Sequence, residues 1–331
     1  ARALCGMGAV ALFPLFCLPC MAGAVAPVAV TGGTGKLGRR AVEQLVANNV
    51  PVRVLLRQPP SAAAEASGAV AASKPQVAAW LEAMPGVTLV KGDVTDPASL
   101  NELLRGCSAC LALHGARRMR KISDIWRDPS DEPTHSKQIN FVGVQNIIDA
   151  AIASGTCRRI VRVTGKGEDP WSIFSILING LGSLAKAWNY EGEQLLRACK
   201  DIDYTIVRPG VMGRVETLEP NSLVLADNGG DLKVSSITYD AVASLCIEAL
   251  DYPNAARTTL CAMTVPSGEG ASSWAPILSK VSKDTRAFRT DLLPEHMKAV
   301  RFGAAAGLGI TAVLTALVLQ VIRVAIAAVF A

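Results

Sequence analysis

Short apolar runs alternate with amphipathic stretches along most of the chain, and that alternation predicts an α/β fold. The runs Val28–Val30, Val52–Leu56, Val87–Lys91, Ala109–Leu113, Arg159–Val163 and Tyr204–Val207 read as buried strands of a parallel sheet. Between them, Arg39–Val46, Gln76–Met84, Ser136–Ser154 and Lys186–Cys199 read as helices. In Ser136–Ser154, Ile139, Val142, Ile147, Ile148 and Ala151 recur near the helical period, and Gly155 ends the helix. Asp96 followed by Pro97 reads as an N-cap with proline at the first helical position. Short strands near Leu223 and Leu232, a helix Thr238–Leu250 and a strand Thr258–Thr264 make a small C-terminal substrate lobe. The fold expected is a Rossmann-like doubly wound parallel sheet over 27–267.

The pattern breaks at three places. Residues 3–26 are almost uncharged, which reads as a targeting remnant or a membrane segment. Residues 59–76 and 116–136 lack periodicity and read as a surface loop and a polar lid or partner surface. Trp171–Leu184 is strongly apolar, and three readings stay open: a cover for an apolar substrate pocket, a contact with a bilayer surface, or a core helix; the helix is then expected to continue from Lys186 to Cys199. After Ser267 the sheet pattern stops. A basic linker, 268–301, carries Lys280, Lys283, Arg286, Arg289, Lys298 and Arg301, and 302–331 then has only Gln320 and Arg323 as strongly polar residues. That stretch is long enough for a C-terminal transmembrane helix, with the positive flank and the Rossmann domain on the cis side; an in-plane or packed helix is the alternative.

Composition sharpens this in two ways. Half of the 331 residues are apolar and 18% are charged, an apolar excess that sits at the two ends. The net charge of +5 is spread out without an aromatic-interleaved basic stripe, which argues against a nucleic-acid partner. The nine cysteines are odd in number and lie mostly in apolar elements, as in a reducing compartment. Cys107 and Cys110 have redox or metal spacing, but no second pair or histidine cluster completes a metal site, so the structural reading is favoured.

The candidate chemistry centres on Thr31-Gly32-Gly33-Thr34-Gly35-Lys36-Leu37-Gly38, between the first strand and the first helix. Gly32 permits a tight turn, Gly35 lets backbone approach a pyrophosphate, and Gly38 lets helix and strand pack closely. The helix N-terminus offers N–H groups and a positive dipole end to phosphate. An NAD-preferring site places Asp or Glu after the second strand; here Arg57 stands there, which suits a 2′-phosphate and predicts NADP(H) over NAD(H). Asp93 stands where a loop carboxylate can accept from an adenine amino group, and His114 ends the fourth strand.

The segments TGGTGKLG, VRVLLR, KGDVTDPASL, INFVGVQNIIDAAIASG, RRIVRVTGKGE and DYTIVRPGVMG together resemble the short-chain dehydrogenase/reductase superfamily. Within it, the chain is similar to the atypical, NmrA-like NAD(P)-binding group of plants, algae and bacteria. The resemblance covers about 27–265 and implies a parallel doubly wound sheet with substrate bound at the strands' carboxyl ends; Thr164, Arg208 and Pro209 are counted with the expected cofactor-binding residues. It also implies a catalytic hydroxyl, a tyrosine, and a lysine four residues after the tyrosine. Thr164 and Tyr190 match the first two, but Gln194 stands where the lysine is expected. Lys186, one turn before Tyr190, is a candidate replacement. Two functions are therefore chiefly expected: a membrane-anchored NADPH-dependent reductase of a small apolar substrate, or a non-catalytic NADPH-binding redox sensor or assembly factor for a membrane protein complex; sugar-nucleotide epimerase or dehydratase chemistry is a weaker third, because it too leans on the tyrosine–lysine pair. The resemblance and the apolar N-terminus together point to a plastid, with the domain facing the stroma.

Overall fold

The computed structural model describes residues 25–57 and 75–329. The expected targeting remnant, up to residue 24, and almost all of the 59–76 loop lie outside the described residues.

The mainly apolar runs make an eight-stranded sheet whose central strands are buried on both faces and whose edge strands are only partly buried. In chain order the ten strands of the described residues, eight in that sheet and two in a separate pair, are β1 (Val28–Thr31), β2 (Val52–Arg57), β3 (Val87–Gly92), β4 (Ala109–Ala112), β5 (Arg159–Val163), β6 (Asp203–Pro209), β7 (Val211–Met212), β8 (Leu223–Ala226), β9 (Ser236–Ile237) and β10 (Thr258–Thr264). The sheet runs β3-β2-β1-β4-β5-β6-β10-β8, parallel except for the edge strand β8, and β7 and β9 pair separately. β1 lies between β2 and β4, so the connections leave it in opposite directions. That reversal opens a crevice beyond the carboxyl ends of the central strands, the place where doubly wound folds bind ligands.

Helices cover both faces. α1 (Lys36–Ala47) buries Leu37, Ala41, Val42 and Leu45 against β1 and β2 in a core that it shares with a late helix, Tyr239–Glu248. On the other face, α2 (Pro97–Leu104) and α3 (Gly143–Ser154) bury Leu100, Leu103, Leu104, Ile147 and Ile148. The Asp96 carboxylate accepts from the backbone N–H groups of Ala98 and Ser99, and Pro97 follows it, as the sequence predicts. Gly155 ends α3 in a left-handed conformation at φ 63°.

Three elements differ from expectation. No strand forms at Leu232: Asn228 and Gly229 turn the chain at φ 55° and 62°, and pairing resumes at Ser236 against Val211. The apolar stretch from Trp171 forms α4 (Ile173–Leu181) and then breaks, with Ser183 and Leu184 both at positive φ, before α5 (Ala185–Ala198). The stretch 268–301 is no linker. Trp274 is fully buried and donates its Nε1–H to the Ala241 carbonyl at 2.8 Å, and Leu278, Leu292 and His296 are buried too.

The last helix, α6 (Leu292–Val329), starts ten residues before the expected anchor boundary. Its first turns pack on the domain. His296 sits between the Asn179 side chain (2.9 Å) and the Gly167 carbonyl (2.8 Å). From Phe302 to Ile322 its large apolar side chains are exposed on every side, and Leu292–Arg323 is long and apolar enough to cross a membrane.

Candidate functional site

The glycine turn between β1 and α1 is closed by the Gly35 N–H, which donates to the Gly32 carbonyl at 2.9 Å. Gly32 is held at φ 73°, and a Cβ there would come within 2.6 Å of the His114 backbone nitrogen. A Cβ on Gly38 would overlap the Gly32 carbonyl, so the helix can approach the turn only through glycine. Gly35 is the N-cap of α1, no side chain caps that terminus, and its first turn carries no acid. Its N–H groups and dipole end are thus left to an anion.

A cleft beside this turn is lined by Gly32, Thr34, Gly35, Arg57, Asp93 and His114, joined by Arg117. The Asp93 carboxylate is held by the Thr95 backbone N–H at 3.0 Å and the Thr95 hydroxyl at 2.9 Å. Thr31 is buried under the turn with its Oγ1 2.7 Å from His114 Nδ1. Burial, then the charge of Arg162, pushes the His114 imidazole well below its usual range, so it is neutral. His114 Nε2 is buried without a hydrogen-bond partner, an orphaned polar atom in the cleft wall. Arg162, fully buried, braces the same edge by donating to the carbonyls of Ala112 (3.1 Å) and His114 (2.7 Å). The glycine cradle, the free helix terminus, the two arginines and the orphaned imidazole nitrogen fit a dinucleotide.

Other expected site residues lie elsewhere. Gly33 faces Val54, and Leu37 is in the core. Lys36 turns to a separate groove, its Nζ 5.9 Å from the Tyr239 ring centroid. Thr164, Lys186, Tyr190, Arg208 and Pro209 are not among the residues that line the cleft. Pro209 ends β6 in register with Ala262.

The β5–β6 edge is occupied by a buried ion network. Arg208 Nε donates to Glu193 at 3.0 Å and its Nη1 donates to Glu168 at 2.9 Å. The Thr164 hydroxyl donates to Glu193 at 2.6 Å, and so does Arg197. Burial alone would raise the Glu193 carboxyl, but Arg208 and Arg197 outweigh it and hold the group down at about 2. Residues 284–291 run across this edge. Phe288 lies 3.7 Å below the Arg197 guanidinium and 4.3 Å from that of Arg286, which itself pairs with Glu168. Tyr190 is fully buried and donates its hydroxyl to the Arg289 carbonyl at 2.9 Å. Burial, then Glu168, pushes the phenol up to about 12. Lys186 donates to Ser175 Oγ at 2.7 Å, and burial lowers it below the usual lysine range.

Sequence reasoning missed Arg117, Arg162, Glu193 and Glu168. A signal existed for the first two: Arg117 follows the His114-Gly115 strand end, and Arg162 is a charge inside an otherwise apolar strand.

A family model described as NAD(P)H-binding matches residues 32–253. The chain is 28% identical over 192 residues to the chloroplastic protein TIC 62 of Pisum sativum, covering 56% of this chain and 33% of that protein. It is 28% identical over 190 residues to an uncharacterized chloroplastic protein of Arabidopsis thaliana, covering 54% and 56%. The chain thus spans about a third and just over half of these two relatives. Among solved structures it is similar to a putative NAD-dependent epimerase/dehydratase of Bacillus halodurans, with TM-score 0.56, 17% identity, and coverage of 77% of this chain and 100% of that one. A short-chain dehydrogenase/reductase of Veillonella parvula, in complex with NADP, is similar at TM-score 0.52 and 13% identity, covering 75% and 98%. These two likenesses bear on the fold alone. With the family match spanning most of the sheet and the cradle built as described, the chain belongs to the NAD(P)H-binding family, on a Rossmann-like fold.

Proposed function

We propose that this protein binds NADPH, is held at a plastid membrane by α6, and serves as a redox sensor or assembly factor rather than as a tyrosine–lysine dehydrogenase. The observation that carries this is the sealed Tyr190, buried under residues 284–291 with its hydroxyl bonded to the Arg289 carbonyl. A proton donor works best when its pKa lies near the ambient pH and its proton reaches substrate. Tyr190 has neither property, and Gln194, in the expected lysine position, also donates to Arg289.

The binding half of the reading rests on the cleft. Bound there, the cofactor supplies hydride chemistry or, unreacted, a report of the reduced pool. The α1 N-terminus and the Gly32–Gly35 backbone would take the pyrophosphate. Arg57 and Arg117 supply the cations that a 2′-phosphate needs, and Asp93 an acceptor for an adenine amino group. The chloroplastic relatives support the plastid, and the exposed apolar length of α6 supports the anchor.

The rival reading is an NADPH-dependent reductase of a small apolar substrate. It is favoured by the desolvated Lys186, one turn before Tyr190 on α5. The two separate in one experiment on the full chain in detergent. NADPH and NADH are titrated calorimetrically, and NADPH oxidation is then followed with carbonyl, enone and quinone substrates. The expected result is NADPH binding at least about tenfold tighter than NADH, one cation–phosphate contact being worth about 1.4 kcal/mol, with no turnover. Steady NADPH oxidation overturns the sensor reading, and failure to bind either nucleotide overturns both.

A further inference from the structure

The exposed face of α4 is apolar, and it lies where α6 leaves the domain. Ile173, Phe174, Leu177, Ile178 and Leu181 are 46–74% exposed. At 100° per residue these five span an arc of about 140°, one whole side of the helix. The opposite side is engaged: Ser175 and Asn179 are buried, Ile176 packs against Gly303 and Gly180 faces Val300. The helix is therefore seated on the domain, with its apolar stripe turned outward. Exposed apolar surface of this extent marks an interaction site.

The position of that stripe identifies what covers it. Phe302 opens the uncharged run of α6, and the Trp171 ring meets the Phe302 ring edge-on at 5.9 Å. Trp171 and α4 thus stand at the level where α6 becomes apolar all round. The exposed cations Lys298 and Arg301 lie within a turn of that level on the domain side. A second apolar element adjoins the stripe. The Arg120 N–H donates to the Leu181 carbonyl at 2.8 Å, which ties the 118–126 loop to the end of α4. In that loop Met119, Ile122, Ile125 and Trp126 are 60–78% exposed, interleaved with exposed Arg120 and Lys121.

We infer that α4 and the 118–126 loop form a membrane-docking face, lying in the headgroup region of an anionic bilayer beside the point where α6 enters it. This rests on the anchor reading of α6 and deepens it: the domain is laid on the bilayer, not suspended from it. Indole rings belong at the membrane–water interface, and an apolar stripe flanked by cations is what an in-plane helix presents to anionic lipid. A bilayer accommodates the stripe and an all-round apolar helix together. A protein partner seated on α4 would leave the neighbouring α6 surface uncovered.

The test uses the full chain reconstituted in phosphatidylcholine–phosphatidylglycerol vesicles that contain lipid brominated near the headgroup. Flotation with resistance to carbonate extraction reports α6 insertion, and bromine quenching of tryptophan emission reports docking. Docking predicts that the chain floats, that its emission is quenched, and that Trp171→Phe with Trp126→Phe removes most of the quenchable emission, while buried Trp274 stays unquenched. A second variant, Phe174→Asp with Leu177→Asp, keeps its circular dichroism and flotation and loses the Trp171 quenching. A chain that floats while Trp171 and Trp126 stay unquenched overturns the docking and leaves the anchor standing. If both rings are then also shielded from aqueous acrylamide, a second copy of this chain covers the face instead. A chain that does not float overturns anchor and docking together.

Discussion

The carboxyl edge of the sheet carries two neighbouring sites built on opposite plans. Beyond β1 and β4 the wall is largely backbone: a glycine turn, an uncapped helix terminus and an imidazole with one nitrogen unpartnered. Beyond β5 and β6 the space is filled by side chains that satisfy one another, Arg208 between Glu193 and Glu168, and Thr164 on Glu193. The first edge has groups left over for a ligand, whereas in the second the carboxylates are all paired and, of its buried arginine nitrogens, only Arg197 Nε lacks a hydrogen bond. In a low-dielectric interior an unpaired charge is strongly unfavourable, so the second edge has to stay closed on itself unless substrate replaces those partners. The candidate nucleotide cleft and the residues expected for proton transfer are thereby separate in this chain.

The largest effect that sharpens the contrast is on the filled edge. Glu193→Ala leaves two buried arginines without their shared partner, and the expected loss of stability is about 3–5 kcal/mol by urea denaturation. The wild-type carboxyl lies near 2 when folded against an ordinary 4.5. Its contribution, of the order of 3 kcal/mol, is thus fully present above about pH 4.5 and is lost as the pH falls toward 2. The variant should lack that acid limb. A stable Glu193→Ala protein with an unchanged acid limb would show that the edge is loosely organised, and the comparison would fail.

On the open edge, Gly32→Ala meets both a strained φ and the His114 backbone. Stability is expected to fall by about 1–3 kcal/mol, with NADPH affinity lowered at least about a hundredfold in calorimetry. Arg57→Gln is milder. It should weaken NADPH about tenfold and leave NADH unchanged, since only the 2′-phosphate loses its cation. An equal loss for both nucleotides would place Arg57 on a part of the dinucleotide that both share.

The open edge was legible in the sequence because its determinants are local. A glycine turn needs no distant partner to be recognised, and the Arg57, Asp93 and His114 positions follow from counting strand ends. The parallel part of the sheet was legible for the same reason, its strands being short, mainly apolar runs. The filled edge was not. Whether Tyr190 faces substrate or core depends on Arg289, which stands 99 residues further along the chain in a stretch that its charge made look like a linker. The pairing of Glu168 with Arg286 spans 118 residues and leaves no local pattern. The break in the Trp171–Cys199 stretch was equally hidden, because neither Ser183 nor Leu184 is a residue that announces positive φ.

The smallest expected effect is also the one that tests the contrast most directly. Tyr190→Phe removes one hydroxyl, whose only described partner is the Arg289 carbonyl, and the Gln194 amide still donates to that oxygen. No buried acceptor is stranded, so the change in stability should be about 1 kcal/mol or less. NADPH affinity should stay within about twofold of wild type, because Tyr190 does not line the cleft. If a substrate is found, the same variant decides how it is used. Turnover that survives Tyr190→Phe means that the proton comes from elsewhere, and the filled edge is structural. Turnover that falls by orders of magnitude while folding is intact means that residues 284–291 lift away during the reaction, and the two edges then differ in timing and not in kind.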